Sequence, residues 1–319
     1  MPTIGIEIGG TKLQSAVVGR QGDVLVRRSD RVEAAGGAER LRAALATQLA
    51  SLLAAWRGDP RHEEISAAGV GFGGPVDRER GVVAASFHVE GWHGFPLRDW
   101  LEGELGGLPV LLENDTNAAA FAEATLGAGR GERRVFYTNS GSGIGGGSVV
   151  DGLLYRSRGP GEMELGHLRL GPEGGILEDV ASGWAIDRRA REEAAARPQG
   201  AIAVLAGSAP ATARQVAAAA AAGDEAARGI LDAAARHYAL ALSHAVHLLN
   251  PDVIVLGGGV AEIGPAWRDR VATFLAVFLM ETLRPGPDVR LAALGQDVVP
   301  VGAALLAAAG QPTGNSTNA

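Results

Sequence analysis

Apolar and polar residues alternate in short runs near the start of the chain and again near its middle, and each run empties into glycines. Thr3–Ile8 reads as a strand leading into Gly9-Gly10-Thr11-Lys12. Leu13–Val18 and Val24–Arg28 read as two further strands, joined by a turn at Gln21-Gly22-Asp23. The figure returns at Arg134–Thr138, which meets Ser140-Gly141-Ser142-Gly143. Gly147–Val150, a turn at Asp151-Gly152 and Leu153–Arg156 complete it. After each meander the apolar period switches from two to 3.6. Leu41, Leu45, Leu49 and Leu52 stripe a helix over about Ala38–Trp56, which leads to a strand at Ala67–Phe72 ending in Gly73-Gly74. In the second half a helix at about Glu225–Leu249 leads to Val253–Leu256 and Gly257-Gly258-Gly259.

The chain therefore reads as a duplicated βββαβ unit, and an internal repeat of this kind decides the architecture. Its 319 residues suit two α/β domains, expected at 1–115 and 116–299. A short helix at 300–310 is expected to pack back on the first domain, and 311–319 reads as a disordered polar tail. Between the halves a strand at Pro109–Glu113 breaks into a helix at Asn114-Asp115-Thr116-Asn117, and the alanine-rich stretch 192–223 reads as helical. Glycine turns at matching places in two facing halves would line an interdomain cleft. Without side chains there, backbone N–H groups can approach a polyphosphate closely.

Composition removes several alternatives. A net charge of −7 offers no broad cationic field for nucleic acid or an acidic membrane. The absence of cysteine rules out disulfides, thiolate metal sites and cysteine nucleophiles. The first residues lack the pattern of a secretory leader, and no apolar run approaches the ~20 residues of a membrane helix, so a cytoplasmic location is expected. Gly141-Ser142-Gly143-Ile144-Gly145-Gly146 satisfies G-x-G-x-x-G, but the next residues read as a strand and hairpin where a dinucleotide fold needs a helix. No G-x-x-x-x-G-K-[ST] occurs.

Taken in order, Ile6-Glu7-Ile8-Gly9-Gly10-Thr11-Lys12, Gly71-Phe72-Gly73-Gly74-Pro75-Val76-Asp77, Glu113-Asn114-Asp115-Thr116-Asn117, Gly141–Gly147, Glu164-Leu165-Gly166-His167 and Leu256-Gly257-Gly258-Gly259-Val260 resemble the ROK family (repressors, open reading frames, sugar kinases). The resemblance runs from Ile4 to about Ala309. It implies the two-domain actin-like ATPase (ribonuclease H-like) fold and ATP-dependent phosphorylation of a hexose with Mg²⁺. Glucose is the default acceptor, beside fructose, mannose and N-acetylhexosamines. It further implies a homodimer that takes sugar and ATP; the charge and the lack of a long apolar run are the grounds for expecting no nucleic-acid or membrane partner.

By position alone Asp115, at a strand–helix junction, would be a helix N-cap; the resemblance makes it the general base. Gly74, Asn114, Asp115, Glu164, His167 and Glu178 are the implied sugar ligands. Gly9, Gly10, Thr11, Gly141, Ser142 and Gly143 would cradle phosphates, with Gly257, Gly258 and Gly259 flanking the adenosine; Lys12 either joins the cradle or faces solvent. Glu7, where many relatives carry Asp, would hold Mg²⁺ through water. The loop Ser86–Phe95, with Phe87, His88, Trp92 and His93, is expected to shape selectivity.

The family's cysteine-rich zinc loop is missing. Leu168–Gly175 passes straight from His167 to Ile176-Leu177-Glu178, so no structural zinc is expected and something else must orient His167. His244 and His247 read as helix-face residues. The competing class is a non-catalytic sugar-sensing regulator. A regulator of this family carries a DNA-binding segment ahead of the core, and the first strand already begins at Thr3.

Overall fold

The computed structural model describes residues 1–10, 12–31, 36–86 and 89–310. Thr11, Phe87, His88 and the tail 311–319 lie outside them, and so do the readings made for these residues. In chain order, β1 (Thr3–Ile8), β2 (Lys12–Val18) and β3 (Val24–Arg31) precede α1 (Gly37–Arg57) and β4 (Ala68–Phe72). A small hairpin, β5 (Val76–Asp77) and β6 (Val82–Val83), leads through α2 (Leu97–Glu104) to β7 (Val110–Asn114) and α3 (Asp115–Thr125). The second half opens with β8 (Arg134–Ser140), β9 (Ile144–Val150) and β10 (Leu153–Leu154), followed by α4 (Glu178–Ala181), α5 (Gly183–Ala196), α6 (Ala201–Ala206) and α7 (Ala213–Ala221). Then come α8 (Glu225–Leu249), β11 (Val253–Gly257), α9 (Pro265–Phe278), β12 (Asp288–Leu291) and α10 (Val298–Ala308).

The repeat is visible in the sheets. One runs β3-β2-β1-β4-β7 and the other β10-β9-β8-β11-β12, so the same order is built twice. In each the meander is antiparallel and the strand after the helix pairs in parallel, as a crossover requires. The alanine-rich stretch is helical but broken between α5, α6 and α7 around Pro198-Gln199-Gly200 and Gly207–Pro210.

Two compact units emerge, one of Met1–Gly131, Gly147–Glu162 and the chain from Leu294, the other of Glu132–Gly146 and Met163–Ala293. In the first, Leu41, Leu45, Leu49, Leu52 and Trp56 of α1 share a core with Ile4 and Ile6 of β1, Leu13 and Val17 of β2 and Val70 of β4. The helix α10 covers that sheet at very short range: a Cβ on Gly5 would stand 1.8 Å from the Pro300 carbonyl oxygen, and one on Gly69 1.9 Å from that of Ala303. In the second unit Leu231, Tyr238, Leu242 and Val246 of α8 share a core with Phe136, Ile254 and Leu256 of the sheet. No helix among the described residues is long and apolar enough to cross a membrane.

Candidate active site

The first unit's chemistry gathers at the strand ends. At the β7–α3 corner the N-cap is Asn114, whose side-chain oxygen accepts from Thr116 N (2.9 Å) and Asn117 N (3.1 Å). Its amide nitrogen donates to the Gly74 carbonyl at 3.2 Å, so Asn114 also holds the glycine end of the β4 segment. Asp115 is thereby relieved of the capping role and is the first helical residue. One of its oxygens accepts from Thr116 N at 2.7 Å, and the other lies where a Cβ on Gly73 would come within 3.3 Å. Gly73 thus leaves room beside the carboxylate.

At the end of β1, Glu7 pairs with Lys12 at 2.7 Å, and Lys12 donates to the Gln296 carbonyl at 3.0 Å. Lys12 is therefore partnered within this unit. Burial pushes the Glu7 carboxyl above its ordinary value; Lys12 pulls the other way, and Asp297 adds to the rise. Gly9 N donates to the Lys12 carbonyl at 2.9 Å and closes the glycine turn. No group of three or more His, Cys, Asp or Glu that could hold a metal occurs among the described residues. One carboxylate beside a glycine turn fits a magnesium ion carried in on nucleotide phosphates and held through water, and does not fit a dedicated protein cage.

In the second unit the turn after β8 is held by neutral groups and one carboxylate. Asn139 Oδ1 accepts from Gly145 N at 2.9 Å, and Gly141 N donates to the Gly143 carbonyl at 2.9 Å. Glu178, expected on sugar, accepts from Ile144 N at 2.8 Å and sits where a Cβ on Gly143 would meet it at 2.5 Å. Its carboxylate is built into the turn expected to cradle phosphate. Gly183 N donates to the Gly141 carbonyl at 2.8 Å. Gly258 has φ +79°, and a Cβ there would stand 2.5 Å from the Ser140 carbonyl oxygen, so only glycine suits the place where Gly257–Gly259 passes this turn.

Glu164 precedes and His167 ends a 3-10 turn at Leu165–His167, with Glu164 half-buried and His167 exposed. The zinc loop's place is taken by a hairpin. Leu170 N donates to the Gly175 carbonyl (3.2 Å), Leu177 N to that of Leu168 (2.9 Å), and Arg169 bridges to Ile176. Leu165 and Leu177 are buried in the core, and Leu168 and Leu170 pack on it. Hydrogen bonds and leucines thus hold the segment that carries His167.

One expectation meets structural competition. Trp92 is buried, edge-on to Phe72 (5.3 Å) and Phe95 (5.5 Å), and so belongs to the core. On α8, His247 Nε2 accepts from Met280 N at 3.2 Å, a contact that fastens the stretch after α9.

The sequence reading missed a buried ionic cluster beside Asn114. Glu113 is wholly buried and takes Arg78 (3.0 Å) and Arg156 (3.0 Å), while Arg78 also pairs with Glu162. Asn117 Nδ2 donates to both Glu113 (3.1 Å) and Glu162 (2.8 Å). These partners are scattered along the sequence and share no spacing that local pattern could reveal.

Two like-ordered sheets, each ending in glycine turns, define the two-domain actin-like ATPase class of fold. The ROK family glucokinase from Streptomyces griseus in complex with glucose and AMPPNP matches at TM-score 0.85 and 31% identity, over 97% of this chain and 100% of that one. The glucokinase of Streptomyces coelicolor is 33% identical over 318 residues, 96% of this chain and 97% of its own length. The N-acetylmannosamine kinase of Escherichia coli (strain SE11) is 32% identical over 316 residues, 96% and 98% respectively. The chain belongs to the ROK family, whose model matches residues 3–309.

Proposed function

We propose that this hexose kinase moves the γ-phosphate of ATP, in line, onto a hydroxyl of its sugar, with Asp115 taking the hydroxyl proton. The sugar oxygen forms a bond to phosphorus as the bond to the β-phosphate oxygen breaks, and ADP leaves. The observation that carries the assignment is the division of labour at the β7–α3 corner: Asn114 caps the helix, and Gly73 leaves the Asp115 carboxylate space.

Glu164 and His167 suit paired sugar hydroxyls, a carboxylate accepting and an imidazole bonding either way. Gly74 and Asn114, tied by one hydrogen bond, are further sugar ligands, and so is Glu178, which braces the second glycine turn. Gly9, Gly10 and Lys12, with Gly141, Ser142 and Gly143, hold phosphates, and Gly257, Gly258 and Gly259 flank the adenosine. Mg²⁺, when bound, neutralises phosphate charge, with Glu7 as its water-mediated anchor. The named relatives support glucose first and an N-acetylhexosamine second as acceptor. The family resemblance supports a homodimer, which light scattering reads directly.

The test is ADP release with Mg·ATP across hexoses and N-acetylhexosamines, with Asp115→Asn as control. Sugar-dependent release should fall about 10²–10⁴-fold in the variant, while the sugar's Kd stays within a few-fold. Near wild-type turnover by Asp115→Asn would remove it as the base. Sugar binding without turnover in the wild type would make the protein a sensor.

A further inference from the structure

We infer that Glu162 is a positioning residue for sugar binding, anchored in the buried ionic cluster so as to set the conformation of the adjoining Met163–Glu164 segment. Given the sugar role proposed above for Glu164, this makes Arg78 and Glu162 determinants of sugar affinity that touch no sugar.

The cluster carries two positive and two negative charges, and the side chains of Arg78, Glu113, Glu162 and Arg156 are 9%, 0%, 3% and 18% exposed. Its geometry is convergent. Arg78 Nη1 and Asn117 Nδ2 each donate to both Glu113 Oε1 and Glu162 Oε1, so two carboxylates share the same two donors. Such carboxylates stay together only while the cations between them remain. A buried ion cluster is a poor source of net stability compared with apolar packing, but removing one member leaves the others uncompensated, which makes its geometry strict. Glu113 is fixed independently by β7 and by Arg156. Glu162 sits outside regular secondary structure, and the cluster together with Ser157 Oγ (3.1 Å) is what holds it.

The next residue supplies an independent sign of constraint. Met163 has φ +58°, a left-handed conformation that costs a side-chain-bearing residue free energy and persists where its surroundings over-determine it. Glu162 fixes the chain on one side. On the other, Leu165 N donates to the Met163 carbonyl at 2.7 Å and the 3-10 turn begins. Glu164 lies between these two anchors. The same Glu113 Oε1 accepts from Asn114 N at 3.0 Å, so the carboxylate that shares its donors with Glu162 is itself seated at the β7–α3 corner.

The experiment compares Glu162→Ala with Glu162→Gln in the full chain. Gln keeps an acceptor for Arg78 and Asn117; Ala keeps none. In sugar-free protein, hydrogen exchange of the peptide covering 163–168 should quicken in the Ala variant and return toward wild type in the Gln variant, with α8 unchanged in both. Sugar kcat/KM should fall about ten- to a hundred-fold in Ala, through KM, with the KM for ATP within two-fold and most of the loss recovered in Gln. Unchanged exchange at 163–168, or sugar and ATP KM rising together, would overturn the inference. A wild type that phosphorylates no sugar would sink the kinase reading, and the exchange comparison would still decide whether Glu162 positions this segment.

Discussion

One helix of the first unit, α10, lies backbone on backbone against its sheet, whereas α8 meets the second sheet through bulky side chains. Gly5 and Gly69 are register partners on β1 and β4, and together they make a groove that takes the carbonyl edge of α10 at Pro300 and Ala303. On the second sheet the pairs from Val253–Val135 to Leu256–Thr138 contain no glycine, and α8 meets them through a shared apolar core and the hydroxyl pair Thr138–Tyr238 at 2.8 Å. Identical strand order thus leaves the distance between layers undetermined. The residue type facing the helix sets it.

The glycine turns differ in the same spirit. Glu7 and Asn139 stand at matching places, each two residues ahead of its turn glycine, Gly9 and Gly141. One is a half-buried carboxylate paired with Lys12, the other a neutral amide that accepts from the turn itself. At this matching place the first turn carries an ionisable side chain and the second an amide.

Three substitutions press on this contrast. Gly69→Ala should have the largest effect, because its Cβ would be 1.9 Å from a backbone oxygen that no side-chain rotation can move. A loss of about 3 kcal/mol or more is expected in urea unfolding. Wild-type stability would mean that α10 is free to stand off the sheet.

Tyr238→Phe probes the second layer with a smaller effect. Thr138 Oγ1 donates to the Gly145 carbonyl at 2.8 Å, so the tyrosine hydroxyl must donate to Thr138. Removing it leaves the threonine bonded and should cost about 1 kcal/mol. A cost several times larger would show that the hydroxyl pair, and not side-chain packing, carries that layer.

Glu7→Gln should produce the smallest effect, visible as a difference in pH dependence. Its carboxyl is raised above 4.5 in the folded chain, so between 4.5 and the raised value the folded state binds more protons than the unfolded. Stability from this group is therefore fully present below that window and is lost as pH rises through it. The wild-type minus Glu7→Gln difference in unfolding free energy should decline across the window and be flat above it. A difference that rises with pH would mean that Lys12 outweighs burial.

Local pattern carried the fold a long way. The stripe of leucines locates α1 within a residue at either end, the helix Glu225–Leu249 appears as read, and the helix near the end begins two residues earlier than expected. These are long elements with one consistent period. The β5–β6 hairpin, α2 and β12 escaped notice because they are short and lack a full period.

At the site, the glycine turns were legible because missing side chains leave a mark in the sequence. The capping by Asn114 was not, since two adjacent polar residues at a strand–helix junction compete and only geometry separates them. Nor was the cluster of Arg78, Glu113, Arg156 and Glu162, whose members meet only after folding, or the left-handed Met163, a residue with no turn preference to announce it.

The place of α10 has a consequence for the chain as it is made. The strands it covers, β1 and β4, leave the ribosome early, while α10 emerges more than two hundred residues later, at Val298–Ala308. At ~5–20 residues per second, one face of the nascent sheet waits for tens of seconds with its glycine groove open. The other unit's long segment, Met163–Ala293, is complete before α10 emerges. Synthesis therefore finishes the later-encoded sheet before the earlier one, and a ribosome stalled short of α10 would present an uncovered sheet face to chaperones.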